Sequence, residues 1–200
     1  MTGIVLENLS KSFGDKKIIK NMSAELPCGF VCLSGKSGCG KTTLARIIAG
    51  IEKPDQGRVL GVIGDVTYMF QEPRLFPTFT ALENVTSIAQ KEDLKNEAKE
   101  LLISLGLTEE DIKKLPFELS GGMNQRVSLA RALLFSRHYG GNTVILDEPF
   151  KGLDEKTKEN AAFIVKKMLD GKNVIVITHD SCDSVILAGS CVSFESLSQK

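Results

Sequence analysis

The stretch GKSGCGKTT at 35–43 leaves a chain little choice of fold. Residues 35–42 fit G-x-x-x-x-G-K-[ST] at every position, with the apolar run FVCLS before them and KTTLARIIAG after. The motif therefore joins a strand to a helix, the context its chemistry needs. Gly35, Gly38 and Gly40 let the backbone curl until successive N–H groups face one anion, those of Lys36, Ser37, Cys39 and Thr43 among them. The helix N-terminus adds partial positive charge. Lys41 reaches the outer phosphates of such a ligand, and the Thr42 hydroxyl suits Mg²⁺. A glycine-rich turn with a chance lysine would lack either the full spacing or the flanking elements.

The rest of the chain supplies strand–helix alternation on both sides of a helical stretch, which predicts an α/β core. GIVLENLS, KKIIKNMSAEL and GFVCLSG read as strands, with turn signals FGDK and PCG between them. GRVL and DVTYMF read as two more. QEPRLFPTFT, with two prolines, is a loop, and ALENVTSIAQ and EDLKNEAKELLISLGL are helical. A helix is expected from about Met123 to Arg137. VILD and NVIVI are apolar without alternation, as in strands buried on both faces of a parallel sheet. DEKTKENAAFIVKKMLDG is an amphipathic helix, with Asp154 as its candidate cap.

Further chemistry clusters at strand ends. In VILDEP, Asp147 closes an apolar strand, where an acid points into a ligand crevice. Asp147 suits Mg²⁺, and Glu148 suits polarising a water. Taken alone, the pair would read as a solvated helix cap. In VITHD, His179 follows another apolar strand and stands where it can contact a terminal phosphate, although a lone histidine is usually a surface residue. Gln71 opens the loop before the helical stretch; its amide can ligate Mg²⁺ and contact water, or be an ordinary loop glutamine. The Phe13 ring can stack on adenine or fill the core, and the sequence leaves both open. A second anion-binding helix start, Ser120-Gly121-Gly122, has no lysine or metal ligand of its own. It can complete a site whose first half lies on another molecule, in a head-to-tail pair with two shared sites. A plain helix cap is its alternative.

Composition excludes some classes. Lys and Arg number 25 against 25 Asp and Glu, so the basic excess usual in a nucleic-acid binder is missing. The five cysteines, Cys28, Cys32, Cys39, Cys182 and Cys191, are odd in number and include no Cys-x-x-Cys pair. Four are expected to be small buried hydrophobes, with Cys39 set apart by its place in the phosphate loop. No signal peptide and no spanning apolar run is visible, so the chain reads as cytosolic, or as membrane-attached only through a partner.

As a set, these motifs resemble the ATP-binding subunit of ABC transporters over the whole length. The match includes the Walker A motif 35–42, the Q-loop Gln71, the signature LSGGM at 119–123, the Walker B motif VILDE at 144–148, the D-loop KGLD at 151–154 and the switch His179. FQEPRLFPTFTALENV and LSGGMNQRVSLARAL look most like the nitrate, sulfonate and taurine importer branch. The resemblance implies a P-loop NTPase (RecA-like) parallel-sheet core with an antiparallel β flank and an inserted α-helical subdomain. Its boundaries are a single cassette over 1–200, with core and flank at 1–71 and 123–200 and the helical subdomain at 72–122. It implies ATP and Mg²⁺, with Asp154 at the nucleotide interface. Two copies form a head-to-tail ATP sandwich dimer, docked on transmembrane permease subunits at the cytoplasmic face of the plasma membrane. A solute-binding protein works through the permease, and no nucleic acid is a partner.

The sequence departs from the family's usual pattern at Phe13 (commonly Tyr), Met123 (often Gln) and Lys151-Gly152 (commonly Ser-Ala). The stretch between Gly50 and Gln71 is short, so a trimmed β flank is expected, and no C-terminal regulatory domain is. Two other functions fit the resemblance less well. A soluble cassette acting on nucleic acid would carry a long coiled coil between Gln71 and Ser120, where only 48 residues (72–119) intervene. A cassette acting on ribosomes would be doubled in one chain. A regulatory cassette on a non-transport membrane complex stays open. Bound ATP should shield Cys39 from thiol reagents; equal labelling of Cys39 with and without ATP, read by peptide mass, contradicts phosphate binding at this loop.

Overall fold

The computed structural model describes residues 2–88, 94–187 and 189–197. Two compact units divide them: one from residues 1–68, 140–147 and 170–200, the other from 69–139 and 148–169.

The first unit holds a three-stranded antiparallel sheet and a five-stranded, largely parallel sheet. β1 (Ile4–Phe13) and β2 (Lys16–Leu26) form a hairpin that turns at Gly14, and β4 (Gln56–Leu60) pairs on the other edge of β1. Register shifts in β1 bend the ribbon. Gly57 fills such a bend: a Cβ there would lie 2.3 Å from the Glu7 carbonyl oxygen, so only glycine fits.

The second sheet has the order β5-β6-β7-β3-β8, from β5 (Thr67–Met69), β6 (Thr143–Asp147), β7 (Asn173–Ile177), β3 (Phe30–Ser34) and β8 (Ser190–Ser193). β6 and β7 are buried at all five positions, which explains why neither alternates. The pairings β6–β7, β3–β7 and β3–β8 are all parallel. Asp147 lies opposite Ile177, which in turn lies opposite Leu33. The carboxyl ends of β3, β6 and β7 thus reach one edge together. α1 (Lys41–Ile48) packs Leu44, Ala45, Ile47 and Ile48 into a core shared with Leu6, Met22, Leu33, Ile145 and Ile177. That cluster joins both sheets.

The second unit is helical: α2 (Ala81–Thr86), α3 (Leu94–Ser104), α4 (Gly121–His138) and α5 (Glu155–Met168). Leu94, Ala98, Leu101 and Leu102 of α3 are buried, as their spacing predicts, and Gly106 follows with φ 86°. Residues 89–93, part of the helical stretches read from sequence, lie outside the described residues. α4 begins two residues earlier than expected, because the Ser120 hydroxyl accepts from the Met123 N–H and so makes Gly121 and Gly122 helical. Asp154 caps α5 as read, and Gly171 follows that helix with φ 76°.

The cysteines depart from expectation. Cys32 is buried, but Cys28 lies exposed in the Pro27–Gly29 turn and Cys191 is exposed on β8. The Cys182 side chain lies outside the described residues.

The loop after Gln71 is ordered by one buried amide. Asn84 is fully buried; its Oδ1 accepts from the Phe76 N–H at 2.7 Å, and its Nδ2 donates to the carbonyls of Phe76, Phe79 and Thr80 at 2.9–3.1 Å. Asn84→Ala leaves those groups without their partner and should destabilise the protein by about 2–3 kcal/mol. Urea unfolding measures this, and a change below about 0.5 kcal/mol would contradict the bracing role.

Candidate functional site

Residues 35–40 leave β3 and return at α1, with φ values of 148° at Gly35, 74° at Gly38 and 123° at Gly40. These left-handed turns are the ones a phosphate loop needs, and glycine alone takes them without strain. Lys36, Ser37 and Gly38 are exposed, while Cys39, Thr42 and Thr43 are half-buried. Lys41 is only 5% exposed and turns back on its own loop, donating to the Gly35 carbonyl at 2.7 Å and the Lys36 carbonyl at 3.0 Å.

Asp147 is buried at the end of β6 and accepts from the Thr42 hydroxyl at 3.4 Å. Burial raises its pKa, against the opposing pull of the Thr42 hydrogen bond, the nearby Tyr68 hydroxyl and the charges of Arg46 and Lys41. Burial first, and then Asp147, push the Tyr68 phenol well above its usual range. A hydroxyl and a buried carboxylate, both oxygen donors, fit a hard divalent cation. Among the described residues, no group of three or more His, Cys, Asp and Glu forms an alternative metal site.

His179 follows β7 and is exposed. The turn carrying it is locked on both sides: the buried Thr178 hydroxyl donates to the Asp183 carboxylate and accepts from the Asp180 N–H at 3.0 Å. Phe13 ends β1 and is 50% exposed, so it is no core residue, and Lys11 Nζ sits 5.2 Å from its ring centroid.

The helical unit carries the remaining residues. Glu148 has φ 53°, a left-handed conformation that a non-glycine residue adopts at a cost. Its carbonyl accepts from buried Gln125 Nε2 at 2.7 Å, which fixes this turn to α4. Exposed Gln71 lines a cavity of about 600 Å³ with Glu72, Gly121, Gly122, Lys151 and Gly152. A Cβ on Gly122 would lie 3.0 Å from the Gly152 carbonyl oxygen, whereas one on Gly121 would meet nothing within 4 Å. The second glycine therefore permits close packing, and the first keeps the helix start open. No acidic residue stands in the first turn of α4 to repel an anion. Asp154 accepts from the Thr157 N–H at 3.0 Å and the Thr157 hydroxyl at 2.6 Å, and these bonds hold its carboxyl below the usual range.

The phosphate loop, the Thr42–Asp147 pair and the capped Ser-Gly-Gly helix start are the features of one family. The family model for ABC transporter matches residues 19–151. The chain belongs to the ABC transporter family. It is 39% identical to an aliphatic sulfonates import ATP-binding protein of Rhodopseudomonas palustris, over 96% of this chain and 70% of that protein. It is 40% identical to a second of that name from Shouchella clausii, over 92% and 73%. A third, from Zymomonas mobilis, is 38% identical over 96% and 82%. Among solved structures it is similar to a dimeric ATP-binding cassette in a post-hydrolysis state bound to ADP and Pi, with TM-score 0.79 and 30% identity over 95% of this chain and 93% of that one. A dimeric bacterial ABC transporter cassette gives TM-score 0.80 and 31% identity over the same shares. The P-loop NTPase fold class follows.

Three supports of these candidate residues were not visible in the sequence. Gln125 holds the Glu148 turn, Tyr68 faces Asp147, and Arg131 donates to the carbonyls of Pro73 and Arg74 just beyond Gln71. Each works through a backbone carbonyl or a distant strand, which no local spacing encodes.

The raised pKa of Asp147 has a stability consequence. The folded protein holds that proton more tightly than the unfolded chain, so stability from this group is present at low pH and lost as pH rises through the folded pKa. Asp147→Asn removes the buried charge and should stabilise the nucleotide-free protein at pH 7 by about 1 kcal/mol. The gain should vanish near pH 4. Thermal unfolding across pH 4–8 checks it, and a destabilised variant at pH 7 would show that the carboxylate is well compensated.

Proposed function

We propose that this chain is the ATP-hydrolysing, energy-coupling subunit of an ABC importer for a small anion or small organic solute. The names of its relatives point to aliphatic sulfonates as the solute class. The observation that carries the reading is the hydrogen bond between Thr42, at the end of the phosphate loop, and buried Asp147, at the end of β6.

In this reading the N–H groups of 35–43 hold the ATP phosphates, and Lys41 leaves the carbonyls of Gly35 and Lys36 to neutralise the outer ones. Phe13 stacks on the adenine. Thr42, Asp147 and Gln71 hold Mg²⁺, which when bound draws charge off the phosphate oxygens. Glu148, fixed by its strained turn, polarises the attacking water, and His179 contacts the γ-phosphate from its locked turn. Ser120 uses an oxygen lone pair to cap α4, and its hydroxyl hydrogen remains for a partner's γ-phosphate. Gly121 and Gly122 present the helix start to the same phosphate, and Asp154 orders the loop beside them. A second copy, head to tail, supplies the other half of each site.

Residues 72–122 form the helical subdomain that passes closure to the permease subunits at the cytoplasmic face of the membrane; a solute-binding protein delivers to that permease. No described helix is long and apolar enough to cross a membrane. ATP binds the closed pair better and shifts the population toward it; hydrolysis reverses the shift.

Glu148→Gln should bind ATP without hydrolysing it and accumulate as a dimer of twice the monomer mass. Ser120→Arg in the same background should abolish that dimer. Light scattering with and without Mg-free ATP reads both. Full turnover by Glu148→Gln, or a dimer indifferent to Ser120→Arg, would overturn the assigned roles.

A further inference from the structure

The phosphate loop of this chain is in contact with a carboxylate of its own. α6 (Phe194–Leu197) follows β8, the strand beside β3. The Lys36 N–H donates to Glu195 Oε1 at 3.1 Å. The Ser193 hydroxyl donates to Glu195 Oε2 at 2.9 Å and turns the carboxylate toward the loop. Phe194 and Leu197 are buried in the core on either side, so Glu195 is anchored in place. A Cβ on Gly35 would lie 3.0 Å from Glu195 Oε2, and one on Gly40 would lie 2.8 Å from the Phe194 ring. These two glycines therefore make room for the segment as well as bending the loop. Bonds from its own backbone N–H, from Lys36 and from Ser193, with the charge of Lys41, hold the Glu195 carboxyl below the usual range. It is an anion at neutral pH.

We propose that Glu195 is an affinity-determining residue of the cassette, an internal anion seated on the phosphate loop against which the triphosphate of ATP must bind. The inference rests on the reading that this loop binds ATP. An entering triphosphate brings negative charge to an N–H array that already serves one carboxylate. Repulsion and the loss of the Lys36–Glu195 bond both oppose it. Lys41 lies in the field of the same carboxylate, and its ammonium is bonded to the carbonyls of Gly35 and Lys36 at that end of the loop. Glu195 therefore keeps the affinity for ATP below what the bare loop would give. A carboxylate that merely braced the loop would have the opposite effect, since its removal would weaken binding.

Calorimetric titration of ATP into the full chain distinguishes the two. Glu195→Gln keeps the shape and removes the charge; its Kd should fall about three- to tenfold at low salt, and the gap should narrow as ionic strength rises. Ser193→Ala releases one tether of the carboxylate and should shift Kd in the same direction by less, which provides a second test should Glu195→Gln fold poorly. An unchanged or higher Kd in both variants, at wild-type thermal stability, overturns the proposal. Wild-type protein that binds no ATP at all would instead overturn the nucleotide reading, and this inference with it.

Discussion

Parallel backbone pairing between β3 and β7, and between β7 and β6, is the constraint on which the P-loop half of the cassette depends. Because Leu33, Ile177 and Asp147 share a register, three chemically different loops leave the sheet at one edge. The phosphate loop, the acid and the histidine turn are far apart in the chain, and ladder hydrogen bonds bring them together. Burial on both faces of β6 and β7 makes a register slip costly, since it would expose apolar residues or break ladder bonds in the core. The precision of the edge follows from that cost.

Two kinds of anion chemistry are present in the chain. One is attractive and built from backbone: the phosphate loop and the open start of α4 present N–H groups and helix dipoles that cost little to keep dry. The other is acidic and costly. Asp147 is buried with its charge only partly offset, and Glu148 holds a strained backbone angle. Such local expense is tolerated where the surroundings over-determine it, and the Thr42, Tyr68 and Gln125 contacts do so here.

How much was legible in the sequence depends on the range of the signal. The phosphate loop, Asp147, the caps at Ser120 and Asp154 and the two doubly buried strands all follow from motif spacing or apolar pattern, because each is encoded within a few residues. α4 starts two residues before the point the sequence pattern suggests, since glycines argue against helix unless the capping serine is weighed first. The cysteines misled for a similar reason: residue type predicts burial, but Cys28 sits in a turn and Cys191 on β8. Gln125, Arg131, Asn84 and Glu195 were invisible because their partners are main-chain groups, and a main-chain group leaves no trace in the letters of a sequence. The sequence allows Phe13 either the core or the surface, and its exposure decides against the core.

α4 is an 18-residue rod, roughly 27 Å long at 1.5 Å per residue. Its first turn carries the Ser-Gly-Gly start, Gln125 grips the Glu148 carbonyl one turn on, and Arg131 grips the carbonyls of Pro73 and Arg74 further along. A helix with satisfied internal bonds bends little. The helix start, the Glu148 turn and the segment after Gln71 are therefore fixtures on one beam with little freedom to move apart. Displacing any one of them loads the other two, so within this unit their motions are coupled mechanically and need no chain of side-chain rearrangements.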